Sequence, residues 1–198
     1  MVNITKYGKF KGFEKNKKKK QIILCHSYRP ATQYLNSLKY RNNGNYKKIP
    51  NYFISRDGKI LNLISDDSYS EFFGDKLIDK DSISICIENL GWVNKKQLSN
   101  QYLNWIGDIY SEEVIHKKWR DKLTWSKYTE EQMVSLIVLC KKLTKKFSIN
   151  NNFIGHNTKV DGVKIFNGIV CRSNYSNYYT DLSPSFDFER LKKEIENE

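Results

Sequence analysis

Short apolar runs alternate with helical patterns along most of the chain. Gln21–His26 is an apolar run of strand length, and Ala31–Tyr40 carries apolar residues at helical spacing. Residues 51–64 hold two aromatic and β-branched runs on either side of an Asp-Gly pair, which predicts a β-hairpin. Residues 81–89 alternate between apolar and polar positions, which predicts a further strand.

The second half of the chain predicts two helices and a short strand. Thr129 suits a helix N-cap, and Gln132 completes a capping box ahead of a long helix that an asparagine run ends at residue 150. Residues 153–156 predict a short strand, and residues 186–195 predict a terminal helix. Strands that alternate with helices predict an α/β domain, in which a central mixed β-sheet is flanked by helices.

The chain divides into a short arm and one domain. Residues 1–20 are polar and end in four lysines, so we expect a basic N-terminal arm or a short edge strand. Residues 21–198 form the predicted domain. Within it, residues 92–127 are aromatic and charged with weak periodicity, and we interpret them as a helix-containing insertion.

The amino-acid composition limits the kinds of binding partner and the cellular compartment to be considered. A net charge of +12 and a pI near 9.4 favour an anionic partner, although a basic protein whose charge only aids solubility is the alternative. Four cysteines without a CxxC pair exclude a cysteine zinc knuckle, and most lie in apolar runs, so we expect reduced core residues. We find no signal peptide pattern and no apolar run of membrane-span length.

Two histidines and one carboxylate are candidate metal ligands. His26 and His156 each follow an apolar run, and Asp181 lies in a loop ahead of the final helix. Imidazole and carboxylate are common ligands of catalytic Zn²⁺, and strand ends can meet at one edge of a sheet. Each residue alone also fits a structural role, as a hydrogen-bonded histidine or a turn aspartate. His116 is a competing third ligand, which its basic neighbours disfavour.

Several motifs follow one another in an order that is typical of a known family. They are the strand-end His26, the Arg-Asp-Gly at residues 56–58, the strand at residues 82–89, Thr129 with Gln132, Gly155-His156, and the Asp-containing segment at residues 180–188. This set resembles the zinc-dependent N-acetylmuramoyl-L-alanine amidases of the type-2 amidase family, which includes phage endolysins and, more distantly, the peptidoglycan recognition proteins. The resemblance covers about residues 20–192.

The resemblance implies a site and a reaction. His26, His156 and Asp181 would hold Zn²⁺, which lowers the pKa of a bound water. Glu88 would take the proton of that water and return it to the leaving amine. The bond cleaved would be the amide between N-acetylmuramic acid and L-alanine of peptidoglycan.

The chain also departs from the family pattern near its third ligand. The Pro-Gly that follows the family aspartate is missing after Asp181, and another register places Ser183, a poor zinc ligand, at the ligand position. Tyr179 stands where the family has a lysine. Arg172 is either a replacement for that cation or a surface residue, and with Tyr179 it is a candidate for stabilising the oxyanion.

The resemblance predicts a phage-type endolysin or a virion-associated lysin. Such a protein is made in the cytoplasm and reaches the cell wall through a holin or a virion, and its charge suits anionic cell-envelope surfaces. A peptidoglycan-binding module without catalysis is the first alternative. Charge together with Trp and Tyr content leaves nucleic-acid binding as a weaker alternative, without a recognised motif. The oligomeric state is left open.

Overall fold

A six-stranded sheet forms the centre of the computed structural model, which describes residues 3–197. The strands are β1 (Ile4–Lys6), β2 (Gln21–His26), β3 (Tyr52–Ile54), β4 (Ile60–Asn62), β5 (Ser82–Ile87), β6 (Asn94–Lys95), β7 (Tyr102–Leu103), β8 (Ile109–Tyr110), β9 (Val114–Trp119), β10 (Lys122–Ser126) and β11 (Gly168–Cys171). The helices are α1 (Ala31–Tyr40), α2 (Lys76–Asp81), α3 (Glu130–Phe147) and α4 (Phe188–Glu196). None of the described helices is long and apolar enough to cross a membrane.

Parallel pairing brings three strand ends to one edge of the sheet. The strand order is β1-β4-β3-β5-β2-β11, and β2 pairs in parallel with both β5 and β11. His26 lies opposite Ile87, and Cys171 lies opposite Leu24. The residues that follow β2, β5 and β11 therefore meet at the same edge, where open α/β sheets commonly bind ligands.

Helices cover both faces of the sheet. Leu24 packs in one core with Leu136 of α3 and Leu191 of α4. Cys25, on the opposite face, packs with Leu38 of α1. The central strands β2 and β5 are buried on both faces, so the serines that alternate with isoleucines along β5 are buried as well as the apolar run of β2. The predicted α/β class with a mixed central sheet is confirmed.

Helix α3 begins as its sequence predicts. The backbone N–H of Gln132 donates to Thr129 Oγ1 at 3.1 Å, and the backbone N–H of Thr129 donates to Gln132 Oε1 at 3.0 Å. The predicted hairpin packs against this helix through its turn, because Ser135 Oγ donates to the carbonyl oxygen of Gly58 at 2.7 Å. Both predictions are confirmed, and the turn is held close to the helix backbone.

The prediction of a helix within residues 92–127 is wrong. The described chain there forms β6 to β10 in two small antiparallel sheets. Trp125 anchors one of them: it is fully buried, and its ring N–H donates to the carbonyl oxygen of Lys117 at 2.8 Å. Aromatic and β-branched residues at weak periodicity thus pair as strands instead of winding into a helix.

Two further differences concern strands. Residues 153–156 do not form a strand, because Phe153 makes only an isolated bridge with Ile169. Ile169 belongs to β11, a strand that the sequence analysis does not predict. At the other end of the sheet β1 is an edge strand, one of the two options expected for the N-terminal arm, whose first two residues lie outside the described part.

Candidate functional site

A buried ion pair lies at the edge where β2 and β11 end. Arg172, the residue after β11, donates from Nε to Asp181 Oδ1 at 3.2 Å, and its Nη2 lies 2.9 Å from Oδ2. The Asp181 side chain is 0% exposed and that of Arg172 is 18% exposed. Burial acts to lower the pKa of Arg172, but Asp181 together with Cys25 and Tyr28 raises that pKa overall, so the guanidinium stays charged.

Asp181 receives one further hydrogen bond from a side chain. Tyr28 donates its hydroxyl to Oδ1 at 3.2 Å and also lies 2.9 Å from Thr180 Oγ1. Oδ2 has no directed donor, because Arg172 approaches it at an angle that does not make a hydrogen bond. The carboxylate is therefore neutralised by Arg172 and keeps one oxygen without a hydrogen bond.

His26 presents an unpaired nitrogen to the same region. Its Nδ1 lies 2.9 Å from the hydroxyl of Tyr128, whereas Nε2 is buried and has no hydrogen-bond partner. Gly91 leaves space beside this nitrogen, since a Cβ there would lie 3.2 Å from Nε2. Burial lowers the pKa of His26 to about 4, while Asp181 opposes that shift. The imidazole is therefore neutral at neutral pH.

His156, the second predicted ligand, is turned toward its own loop. Its ring is exposed, and Nδ1 lies 2.9 Å from Thr158 Oγ1. Its backbone carbonyl accepts a hydrogen bond from Asn174 at 2.8 Å. Across residues 3–197, no three His, Cys, Asp or Glu side chains form a group that could hold a metal ion. The structure thus brings His26 and Asp181 to one site and does not add His156 to them.

Glu88 follows β5, and both its carboxylate oxygens are occupied by backbone donors. Oε1 accepts from the N–H of Ala31 at 2.6 Å, and Oε2 accepts from the N–H of Arg56 at 2.9 Å. The side chain is buried and holds the start of α1 to the turn after β3. This gives Glu88 a positioning role, and the acid–base role expected from the sequence stays a prediction.

Of the remaining candidate residues, Tyr179 lies near the site, whereas His116 and Ser183 contact other polar side chains. The ring of Tyr179 lies 4.7 Å from the Arg172 guanidinium carbon, so the two predicted oxyanion helpers are neighbours. His116 lies on β9 and contacts Thr124 Oγ1 at 3.3 Å. The hydroxyl of Ser183 lies 2.8 Å from that of Ser185.

Sequence reasoning missed the two tyrosines that orient the site. Tyr28 bonds Asp181 and packs edge-on against the His26 ring, with ring centroids 4.2 Å apart. Tyr128 contacts the other nitrogen of His26. The only sequence signal is position, since Tyr28 comes two residues after His26 and Tyr128 directly precedes the N-cap of α3.

The zinc that the family implies can be tested against these side chains. His26 Nε2 and Asp181 Oδ2 are buried and have no hydrogen bond, as two unfilled ligands would be. The third predicted ligand, His156, is exposed and bonded elsewhere. A guanidinium already lies 2.9 Å from Asp181 Oδ2, and it would repel a second cation. The residues present therefore do not fit a zinc centre with three protein ligands.

The fold is similar to that of several amidases of known structure. It is similar to the amidase LysC from Clostridium intestinale, with a TM-score of 0.59, 13% identity and 99% of each chain covered. The Ph2119 endolysin of a Thermus scotoductus bacteriophage gives a TM-score of 0.56 at 11% identity, with 98% of this chain and 99% of that chain covered. The Escherichia coli amidase AmiD, in complex with a muramyl peptide substrate, gives 0.58 at 14% identity, with 91% of this chain and 58% of that chain covered. At these identities the likeness shows the fold.

The family follows from the sequence itself. The sequence profile of the N-acetylmuramoyl-L-alanine amidase family matches residues 15–168, more than half of the chain. The protein therefore belongs to the N-acetylmuramoyl-L-alanine amidase family, as the ordered motifs predict. No curated protein sequence matches the chain. The profile match ends before Arg172 and Asp181, which is the segment where the chain departs from the family pattern.

Proposed function

We propose that the protein acts on peptidoglycan, with the amide bond between N-acetylmuramic acid and L-alanine as its target. Family membership over residues 15–168 is the observation that carries this proposal. The AmiD complex holds a muramyl peptide that contains this bond on the same fold, which supports the same ligand class here. The net charge of +12 favours approach to an anionic cell envelope.

Hydrolysis of that bond is the first form of the proposal, in the manner of an endolysin. The zinc-dependent reaction expected from the sequence needs His156 to join His26 and Asp181, and the present arrangement does not provide that. What this chain offers a bound substrate is the free Nε2 of His26 beside the Arg172 guanidinium. Both groups lie at the sheet edge, and the guanidinium is the hydrogen-bond donor of the two for the oxygens of an amide.

Recognition of peptidoglycan without cleavage is the second candidate, and two specific observations favour it. Asp181 is already neutralised by Arg172, so it lacks the free negative charge that draws in a metal ion. The carboxylate of Glu88 accepts hydrogen bonds from two backbone N–H groups, which fits a structural role for this side chain. A protein of this form would hold the stem peptide at the same sheet edge and leave the amide intact.

The place of action is part of the proposal. Similarity to the Thermus phage endolysin and to LysC supports a bacteriolytic role at the cell wall. In that role a holin or a virion would deliver the protein to its substrate. Binding to anionic envelope polymers would come from the basic surface and would weaken as salt screens it.

Incubation with purified sacculi tests the function directly. Soluble products are analysed by mass spectrometry, and bound protein is measured by sedimentation, with heat-denatured protein as the control. Release of stem peptides that begin with L-alanine supports hydrolysis, whereas specific sedimentation without release supports recognition. Release of disaccharides, or neither binding nor release, contradicts the proposed target.

A further inference from the structure

We propose that the guanidinium of Arg172 takes the place of a metal cation beside Asp181, so that the site binds its peptidoglycan ligand without a metal. The inference rests on the proposed peptidoglycan target, but it does not depend on whether the amide is cleaved. It concerns an internal cation supplied by this chain, in a segment that the family profile does not cover.

The backbone fixes Arg172 at this position. Cys171 pairs with Leu24, so the next residue emerges at the edge where β2 ends. The N–H of Cys171 donates to Asn174 Oδ1 at 2.6 Å, and the N–H of Ser173 donates to the carbonyl oxygen of Asp181 at 3.0 Å. These bonds hold both the turn after β11 and the loop of Asp181, so the ion pair is built into the fold.

The same turn also holds the loop of His156. Asn174 donates from Nδ2 to the carbonyl oxygens of His156 and Thr158, at 2.8 Å each. With its backbone fixed in this way, the His156 ring contacts Thr158 and leaves the Asp181 carboxylate to Arg172. The arrangement therefore replaces a ligand and a metal ion with one positively charged side chain.

Charge balance favours a single cation at this carboxylate. Asp181 is completely buried and has one formal negative charge, which Arg172 meets through both Nε and Nη2. A dication at Oδ2 would stand next to a buried guanidinium, and among residues 3–197 no third His, Cys, Asp or Glu side chain joins His26 and Asp181 to offset it. Metal binding would therefore require Arg172 to leave a site that its backbone and its ion pair both stabilise.

The guanidinium keeps one nitrogen, Nη1, for a ligand. Nε and Nη2 face Asp181, and Nη1 has no hydrogen-bond partner among residues 3–197. The rings of Tyr179 and Phe72 lie 4.7 and 5.9 Å from the guanidinium carbon. Nη1 is thus available to donate to a carbonyl or carboxylate oxygen of a muramyl peptide, within reach of the same edge as His26.

Metal content tests the inference first. We expect the purified protein, incubated with zinc and then desalted, to retain far less than one zinc per chain by plasma mass spectrometry. Arg172→His should gain one zinc per chain and a zinc-dependent rise in melting temperature, because an imidazole would then join His26 and Asp181. Arg120→His, at an exposed arginine on the β9–β10 turn, controls for zinc captured by any new histidine.

Stoichiometric zinc in the unaltered protein, lost on His156→Ala, would overturn the inference and support the ligand set expected from the sequence. Should Arg172→His fail to fold by circular dichroism, the zinc content of the unaltered protein and its binding in EDTA still decide the question.

Binding to sacculi separates this inference from the proposed function. In EDTA the unaltered protein should sediment with sacculi as well as it does without EDTA. Arg172→Gln should weaken that binding about 10- to 100-fold, the loss typical of one charged hydrogen bond. No binding to sacculi under any condition would refute the proposed target, whereas binding that EDTA abolishes would refute the internal cation alone.

Discussion

Removal of the Arg172 charge should destabilise the fold strongly. Arg172→Met keeps an apolar stem of similar length but leaves Asp181, which is 0% exposed, without its counter-charge. At 2.9 Å the Coulomb attraction is about 6 kcal/mol for an effective dielectric constant near 20, and desolvation of both groups offsets part of it. Loss of one partner of a buried pair typically costs about 3–5 kcal/mol.

We expect the lower end of that range, because Tyr28 still donates to Asp181 Oδ1 in the variant. A loss of about 3 kcal/mol should lower the melting temperature by about 6–12 °C in a domain of this size. Thermal and urea unfolding followed by circular dichroism measure both quantities. Arg190→Met is the matched control, since Arg190 makes a two-pronged ion pair with the exposed Glu130 and its loss should barely change stability.

A double-mutant cycle isolates the pair itself. Arg172→Met, Asp181→Asn and the double variant are compared with the unaltered protein. The double variant should lose at least about 2 kcal/mol less than the sum of the single losses, because each single variant leaves a buried group without its partner. Additive losses, or an Arg172→Met effect no larger than that of Arg190→Met, would refute the reasoning.

Three further predictions concern the scaffold. Gly58→Ala should lower the free energy of unfolding in urea by more than about 2 kcal/mol, because φ is +77° and the new Cβ would lie 2.8 Å from the carbonyl oxygen of Glu131. The control Gly107→Ala, at φ +90° in open space, should cost only about 1 kcal/mol. Equal losses in the two variants would contradict the close approach of Gly58 to the helix. Glu88→Gln should lose about 1–2 kcal/mol, because an amide NH₂ then faces a backbone N–H, and an unchanged urea midpoint would contradict this role. Burial raises the pKa of Tyr110 to about 12, so the neutral hydroxyl stabilises the fold fully below pH 10, and this stabilisation is lost as the pH rises toward 12. Tyr110→Phe should therefore remove about 3 kcal/mol of the alkaline decline in the free energy of unfolding. An unchanged decline in the variant would contradict this role of Tyr110.

The scaffold could be predicted from sequence wherever a local pattern determines the element. The apolar run that ends in His26 is buried on both faces of the sheet, and the capping box at Thr129 starts α3 as expected. Strands β6 to β8 escaped prediction because each is only two residues long, and β9 because polar residues fill its centre. Strand β11 was missed for a different reason, because its pairing with β2 joins residues more than 140 positions apart, which no local pattern reveals.

The site was predictable only in part. His26 and Asp181 were expected at one edge of the sheet, and both side chains lie there. The sequence alone could not decide whether Arg172 is a replacement cation or a surface residue. Its contact with Asp181 depends on the unpredicted strand β11, which ends directly before Arg172. The direction of the His156 ring depends on Asn174 and Thr158, which no ligand motif includes.

Sedimentation with purified sacculi in the presence of EDTA is the most direct test of the account. The unaltered protein should remain bound when free metal is removed. The Arg172→Gln variant should bind sacculi about 10- to 100-fold more weakly. Full release of the unaltered protein by EDTA, with recovery on addition of zinc, would contradict a site built around Arg172.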